Sequence, residues 1–121
     1  MRIGIVGSRE PNLTYEEFVV IVDGLLKENK LYPTIIVSGG ATGIDSYAAR
    51  FATDRGLKLV AFKPDYSKDG RGATLARNTK IVDYSDAIVA LPFYNSHGTY
   101  DTINKARKKG KKTVVRLLER D

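Results

Sequence analysis

Apolar residues follow two rhythms along this chain, and the rhythms alternate. Near-continuous apolar runs occur at Arg2–Val6, Pro33–Val37, Leu57–Phe62, Ala87–Leu91 and Thr113–Leu118. Runs of this length suit parallel strands covered by helices on both faces. Between the first two runs, Phe18, Ile21, Val22, Leu25 and Leu26 repeat at helical spacing. Thr14 and Glu17 ahead of that stripe form a capping box, and Leu13 with Phe18 takes the positions of a hydrophobic staple. A second helix is expected from Gly43 to Arg55, with Ile44, Ala48, Phe51 and Ala52 inward and Gly56 as its stop. A third covers Thr74–Asp83, and a fourth runs from Thr99 to Lys109 and ends at Gly110. The order β-α-β-α-β-α-β-α-β predicts an α/β fold with right-handed crossovers. The expected architecture is a Rossmann-like three-layer sandwich with a mostly parallel sheet of about five strands.

Composition narrows the function more than the fold. The 121 residues suit one domain spanning 1–121, and 42% hydrophobic residues supply a core. There is no cysteine, and His97 is the single histidine, so disulfides, thiolate metal sites and histidine clusters are excluded. No metal site and no cofactor are expected, save magnesium accompanying a phosphorylated ligand. The first apolar run is too short for a signal peptide or a membrane span. The expectation is a protein of the cytoplasm, of a cell or an infected host cell, with no membrane partner. The net charge is +6, much of it in Arg107, Lys108, Lys109, Lys111, Lys112, Arg116 and Arg120. This basic run reads as a solvated helix face and a helix end that welcomes cations. No aromatic residues interleave with it for stacking, so nucleic acid is not expected as a partner.

In open α/β sheets, ligands sit beyond the carboxyl ends of the strands near the topological switch point. That rule selects Gly7-Ser8-Arg9, Ser38–Asp45, Lys63–Tyr66 and Pro92–Thr99. In Ser38-Gly39-Gly40-Ala41-Thr42-Gly43-Ile44-Asp45, three glycines stand between a strand and a helix. Such glycines let backbone approach a ligand, and free amides at the helix N-terminus face an anion. The segment is neither a dinucleotide-binding G-x-G-x-x-G nor a P-loop, and it reads equally as a tight turn that binds nothing. Gly98-Thr99 makes a second strand-to-helix junction, where Thr99 either meets a ligand or caps its own helix. Asp45 is placed to bond sugar hydroxyls or to favour the first turn of its helix. Tyr66 and Tyr94 either stack on a base or pack over the sheet edge. His97 reads as an acid–base group or as an exposed loop residue. Lys63–Ala73 is expected to be a long irregular loop, often a functional feature in a small domain.

Taken in order, Gly7-Ser8-Arg9, Ser38-Gly39-Gly40-Ala41-x-Gly43-x-Asp45, Lys63-Pro64-Asp65, Arg77-Asn78 and Gly98-Thr99 resemble the SLOG superfamily, nearest its YspA-related branch. The resemblance spans almost the whole chain. It implies a Rossmann-like fold with a nucleotide or nucleotide-derived signalling molecule held at the glycine loops, sensed or sequestered there. It also implies a homodimer or higher homo-oligomer. The implied ligand-binding residues are Gly7, Ser8, Arg9, Ser38, Gly39, Gly40, Ala41, Gly43, Asp45, Lys63, Asp65, Tyr66, Arg77, Asn78, Gly98 and Thr99. The superfamily includes the "lonely guy" phosphoribohydrolases and the single-strand DNA-binding DprA proteins, which supply two alternatives: cleavage of nucleoside monophosphates, and single-stranded nucleic-acid binding. The hydrolases carry an arginine that Arg77 matches and a Pro-Gly-Gly-x-Gly-Thr-x-x-Glu motif. Here Pro92, Gly98 and Thr99 are retained, but Thr102 stands at the glutamate position and Asp101 lies one residue off. A helix turns ~100° per residue, so Asp101 points elsewhere than a carboxylate at 102 would. The N-glycosidic transition state needs a carboxylate. If the protein is an enzyme, Arg77 and Asp101 are its catalytic candidates; binding without hydrolysis is the favoured expectation.

Overall fold

A computed structural model describes residues 1–119. In chain order the elements are β1 (Arg2–Gly7), α1 (Tyr15–Glu28), β2 (Ile35–Ser38), α2 (Ile44–Asp54), β3 (Lys58–Ala61), α3 (Tyr66–Asp69), α4 (Ala73–Tyr84), β4 (Ala87–Leu91), α5 (His97–Lys108) and β5 (Lys112–Val115). A 3₁₀ turn at Gly70–Gly72 joins α3 to α4. The strands form one sheet of order β3-β2-β1-β4-β5, and every pairing is parallel. The chain therefore works outward from β1 to β3, then crosses back to β4. The switch point falls between β1 and β4, whose register sets Ile5 beside Val89 and Gly7 beside Leu91.

Alternation along the central strands divides the core in two. Ile3, Ile5, Val89 and Leu91 face α1 and α2, packing against Phe18, Val22, Ile44 and Phe51. Val6, Ile88 and Ala90 face the other way, against Ile81, Val82, Ile103 and Ala106 of α4 and α5. Full burial of a side chain such as Phe18 or Phe51 contributes roughly 1.5–3 kcal/mol. The cap of α1 forms as its sequence predicts: Glu17 N donates to Thr14 Oγ1 at 3.1 Å, and Thr14 N donates to Glu17 Oε1 at 2.9 Å.

Three expectations change. The run at residues 57–62 is an edge strand, with Lys58, Leu59 and Ala61 exposed, so two-sided burial holds for the central strands and fails here. The stretch 63–73 is not wholly irregular. Asp65 Oδ1 accepts from Ser67 N and Lys68 N, at 3.1 and 3.2 Å, and starts the one-turn helix α3. Helix α5 begins at His97, two residues before the expected Thr99, so Thr99 lies inside the first turn and does not cap it. The basic run is mostly exposed, as expected: Arg107, Lys108, Lys109, Lys112 and Arg116 face solvent, and Lys111 is half-buried. Lys111 Nζ donates to the carbonyls of Val82, Asp83 and Ser85 at 2.7, 3.1 and 2.7 Å, closing the C-terminus of α4. Lys109 pairs with Asp83, and Lys105 with Asp101 at 2.9 Å. Arg120 lies outside the described residues. Among the described residues no helix is long and apolar enough to cross a membrane.

Candidate functional site

Diverging crossovers at the switch point open a cavity of about 530 Å³ beyond the carboxyl ends of β1 and β4. That volume suits a small-molecule site. Its walls come from the loop after β1, the glycine loop after β2, the inner face of α4 and the first turn of α5.

The glycine loop is shaped by what lies above it. Gly43 has a φ of 71° and a ψ of −126°, a backbone region reserved for glycine. A Cβ there would lie 2.4 Å from the carbonyl oxygens of both Ser8 and Arg9. This close passage lets Ile44 N donate to Ser8 O at 3.0 Å, which ties the first turn of α2 to the loop after β1. Gly39 serves a different need. A Cβ on it would meet Arg77 Nη1 at 2.6 Å and Asp45 Oδ2 at 2.8 Å. Its bare Cα leaves the space of a side chain to a cation and a carboxylate together.

Arg77 reaches the cavity from α4, nearly buried. Its Nη1 donates to Gly39 O at 2.6 Å and its Nε to Asn78 Oδ1 at 2.9 Å. Those two bonds leave three of the five guanidinium N–H groups for a ligand. Burial pulls the Arg77 pKa below its ordinary value; Asp45 opposes that shift and nearby Arg9 adds to it. Asp45 is only 8% exposed. Burial raises its pKa, against the Ala41 N–H donated to Oδ2 at 3.1 Å and the positive charges of Arg77 and Arg9.

Across the cavity, Asn78 Nδ2 donates to Gly98 O and to Asp101 Oδ2, both at 3.1 Å. Tyr100 N is bonded to Ser96 O at 3.0 Å, the first helical bond of α5. The amides of Gly98 and Thr99 precede it and belong to the turn that a helix leaves unsatisfied. Thr99 is 8% exposed and lines the cavity. Its hydroxyl has no hydrogen-bond partner among the described residues. The Ser8 side chain is similarly enclosed, with Oγ accepting from Glu10 N at 3.1 Å.

Of the residues expected from sequence, the fold brings Gly7, Ser8, Arg9, Gly39, Ala41, Asp45, Arg77, Asn78, Gly98 and Thr99 onto the cavity wall. Ser38, Gly40 and Gly43 sit behind it as supports; Ser38 Oγ accepts from Gly40 N at 3.2 Å. Lys63 lies against Gly40 from outside. Asp65 is the cap of α3, and Tyr66 and Tyr94 project outward, 62% and 74% exposed. Asp101 turns away from the cavity into its pair with Lys105. Thr102 does line it, nearly fully buried, its hydroxyl 3.4 Å from Gly98 O. Sequence reasoning passed over Glu10 and Thr74, also on the wall, and selected Asn95 and Ser96 only as part of the Pro92–Thr99 loop. For the first two, only their neighbourhood to Arg9 and Arg77 was a signal. Among the described residues, no group of three or more His, Cys, Asp or Glu gathers to hold a metal ion.

A parallel five-stranded sheet with a polar cavity at its switch point defines a Rossmann-like α/β domain. The chain belongs to the YspA, cpYpsA-related SLOG family, whose model matches residues 1–68. It is similar to the gene 61 protein of Mycobacterium phage D29, 29% identical over 119 residues and covering 90% of each chain. Among solved structures it is similar to DNA processing protein A (DprA) from Streptococcus pneumoniae, with a TM-score of 0.70 and 20% identity, covering 94% of this chain and 49% of that one. The same protein from Helicobacter pylori, described with its single-stranded DNA binding mode, gives a TM-score of 0.72 and 23% identity over 99% of this chain and 66% of that one. This chain thus spans about half of the first DprA and two-thirds of the second.

The expectation that nucleic acid is no partner is corrected by that neighbour, which is built on this fold and described as binding single-stranded DNA. Cations and exposed aromatics mix at the carboxyl edge of the sheet, where Arg9, Lys63 and Tyr94 lie on loops following strands and Tyr66 opens α3.

Proposed function

We propose that the cavity binds a nucleotide or nucleotide-derived molecule, holding its phosphate between Arg77, Arg9 and the first turn of α5. One observation carries this reading. Two half-satisfied groups converge on the same space: the buried Arg77 guanidinium, with three N–H groups uncommitted, and the unpartnered Thr99 hydroxyl above free helical amides. Helix N-termini and guanidinium groups both favour anions. Asp45, buried and flanked by two arginines, is placed to accept from a ribose hydroxyl. Binding without cleavage is favoured over hydrolysis, because Asp101 is committed to Lys105 and Asn78 while Thr102 fills the wall. The role is then to sense or sequester the ligand.

Calorimetric titration with a panel of nucleoside monophosphates, ribose 5-phosphate and inorganic phosphate tests the proposal. Arg9→Ala removes an exposed cation without disturbing the fold. Loss of a charged hydrogen bond of about 1.5–3 kcal/mol weakens binding roughly 10- to 150-fold. Failure of every member to bind overturns the reading.

A second reading has its own observation: a net charge of +6 on a fold shared with a single-stranded DNA binder. The cavity would then hold one nucleotide unit of a strand. Fluorescence anisotropy with a labelled oligonucleotide tests it. Affinity must fall steeply between low and moderate salt, and a flat salt response refutes strand binding.

A further inference from the structure

A second, shallower depression of about 780 Å³ adjoins the cavity, and Glu10 lines both. Pro11, Leu13 and Tyr47 line it beside the polar Asn12 and Thr14, with the buried Phe93 beneath. Its rim carries Glu10 and Glu17, and no lysine or arginine lines it. Glu17 is held by the capping box at Oε1, which leaves Oε2 uncommitted. The Glu10 carboxylate has no ion pair or hydrogen bond among the described residues, while its backbone N–H is tied to Ser8 Oγ at 3.1 Å. The backbone is thus fixed and the side chain remains available. Tyr47 is fixed too, its hydroxyl donating to Leu13 O at 2.8 Å.

The two depressions therefore differ in charge. The cavity carries Arg9 and Arg77 beside Asp45 and Glu10, whereas the groove offers Tyr47 beside two carboxylates and no cation. A nucleotide has a matching contrast when its base bears an exocyclic amine. From this match we infer that the groove receives the base of the bound nucleotide and that Glu10 selects amine-bearing bases over uracil and thymine. A carboxylate accepts from the 4-amino group of cytosine, whereas the 4-oxo group of uracil presents a second acceptor to it. This inference rests on the nucleotide reading above and adds the base class to it.

Cytidine and uridine 5′-monophosphate differ at that one position, so they form the test pair. Calorimetry on the full chain should show CMP binding about tenfold tighter than UMP, or more, as expected for one good base contact. In Glu10→Ala the ratio should fall to within about twofold, and thermal melting confirms that this variant is folded. Equal affinity of the unaltered chain for both nucleotides, with Arg9→Ala weakening both, overturns the base selection and leaves the phosphate site standing. A preference for CMP that survives Glu10→Ala also overturns it. Absence of binding by both nucleotides and by ribose 5-phosphate overturns the nucleotide reading and this inference with it.

Discussion

Replacing Gly43 by alanine tests the construction of the cavity at its tightest point. Two costs add. A side chain in that backbone region carries strain of about 1–3 kcal/mol. The new Cβ also meets rigid atoms: Ser8 O and Arg9 O at 2.4 Å and the Arg9 carbonyl carbon at 2.5 Å. Overpacking of that kind costs about 1–3 kcal/mol more. The sum is about 2–6 kcal/mol, and a central value of about 4 lowers Tm by roughly 15 °C in a domain of this size. Urea denaturation and calorimetry measure it directly. Gly24→Ala is the internal comparison. Gly24 lies within α1 with nothing inside 4 Å of a Cβ, so alanine should stabilise by about 0.5–1 kcal/mol. The same residue change thus has opposite signs at two positions. A Gly43→Ala protein within about 0.5 kcal/mol of the parent would refute the reasoning, since surface substitutions lie in that range. Because the Ile44–Ser8 bond ties down the loop that carries Arg9, Gly43→Ala should also weaken nucleotide binding, and unchanged affinity would refute that link.

Three other expectations follow from single contacts. Asp45 has its pKa raised by burial, so the folded state holds its proton above the ordinary value of 3.8. Its contribution to stability is fully present below that value and is lost as pH rises through the raised folded value. Asp45→Asn should accordingly gain stability relative to the parent as pH climbs through that window, in urea midpoints taken from pH 3 upward; a constant difference would contradict it. Lys111→Met removes the cation from three carbonyls at the end of α4 and should cost about 2 kcal/mol, against little change for the exposed Lys108→Met. Thr99→Val keeps the shape of a side chain whose hydroxyl has no protein partner. It should leave Tm nearly unchanged and weaken phosphate-bearing ligands about two- to tenfold, the loss of one hydrogen bond.

Features written in local residue order were legible in the sequence. The capping box at Thr14 and Glu17 needs only residues three apart, and the strand runs betray themselves by being apolar. Gly7-Ser8-Arg9, the glycine loop and Gly98-Thr99 follow strands, so the switch-point rule places them at one edge before any coordinates exist. Legibility fails where the outcome depends on a distant partner. Nothing near Leu59 says that its strand lies at an edge. Lys111 looks like one more cation in a basic run, yet its length and position carry it to the end of another helix. Tyr66 has no local sign that α3 will turn it outward. Asp101 and Thr102 are adjacent in sequence, and helical geometry alone sends one into an ion pair and the other onto the cavity wall. Glu10 carries no motif at all, and its interest arises from the two depressions that meet beside it.

Asn78 joins the two halves of the site in a way that depends on a single atom. Its oxygen receives the Arg77 Nε proton, while its nitrogen serves Gly98 O and Asp101 Oδ2. Of the short side chains, only the asparagine amide both accepts on one side and donates twice on the other. Asn78→Asp would exchange that nitrogen for oxygen and leave the outline of the side chain intact. The new carboxylate would satisfy Arg77 but face a carbonyl and a second carboxylate, setting like against like between α4 and α5. The residue that aligns Arg77 with the α5 turn is thus also the one where a single nitrogen exchanged for oxygen would uncouple them, without any change in packing volume.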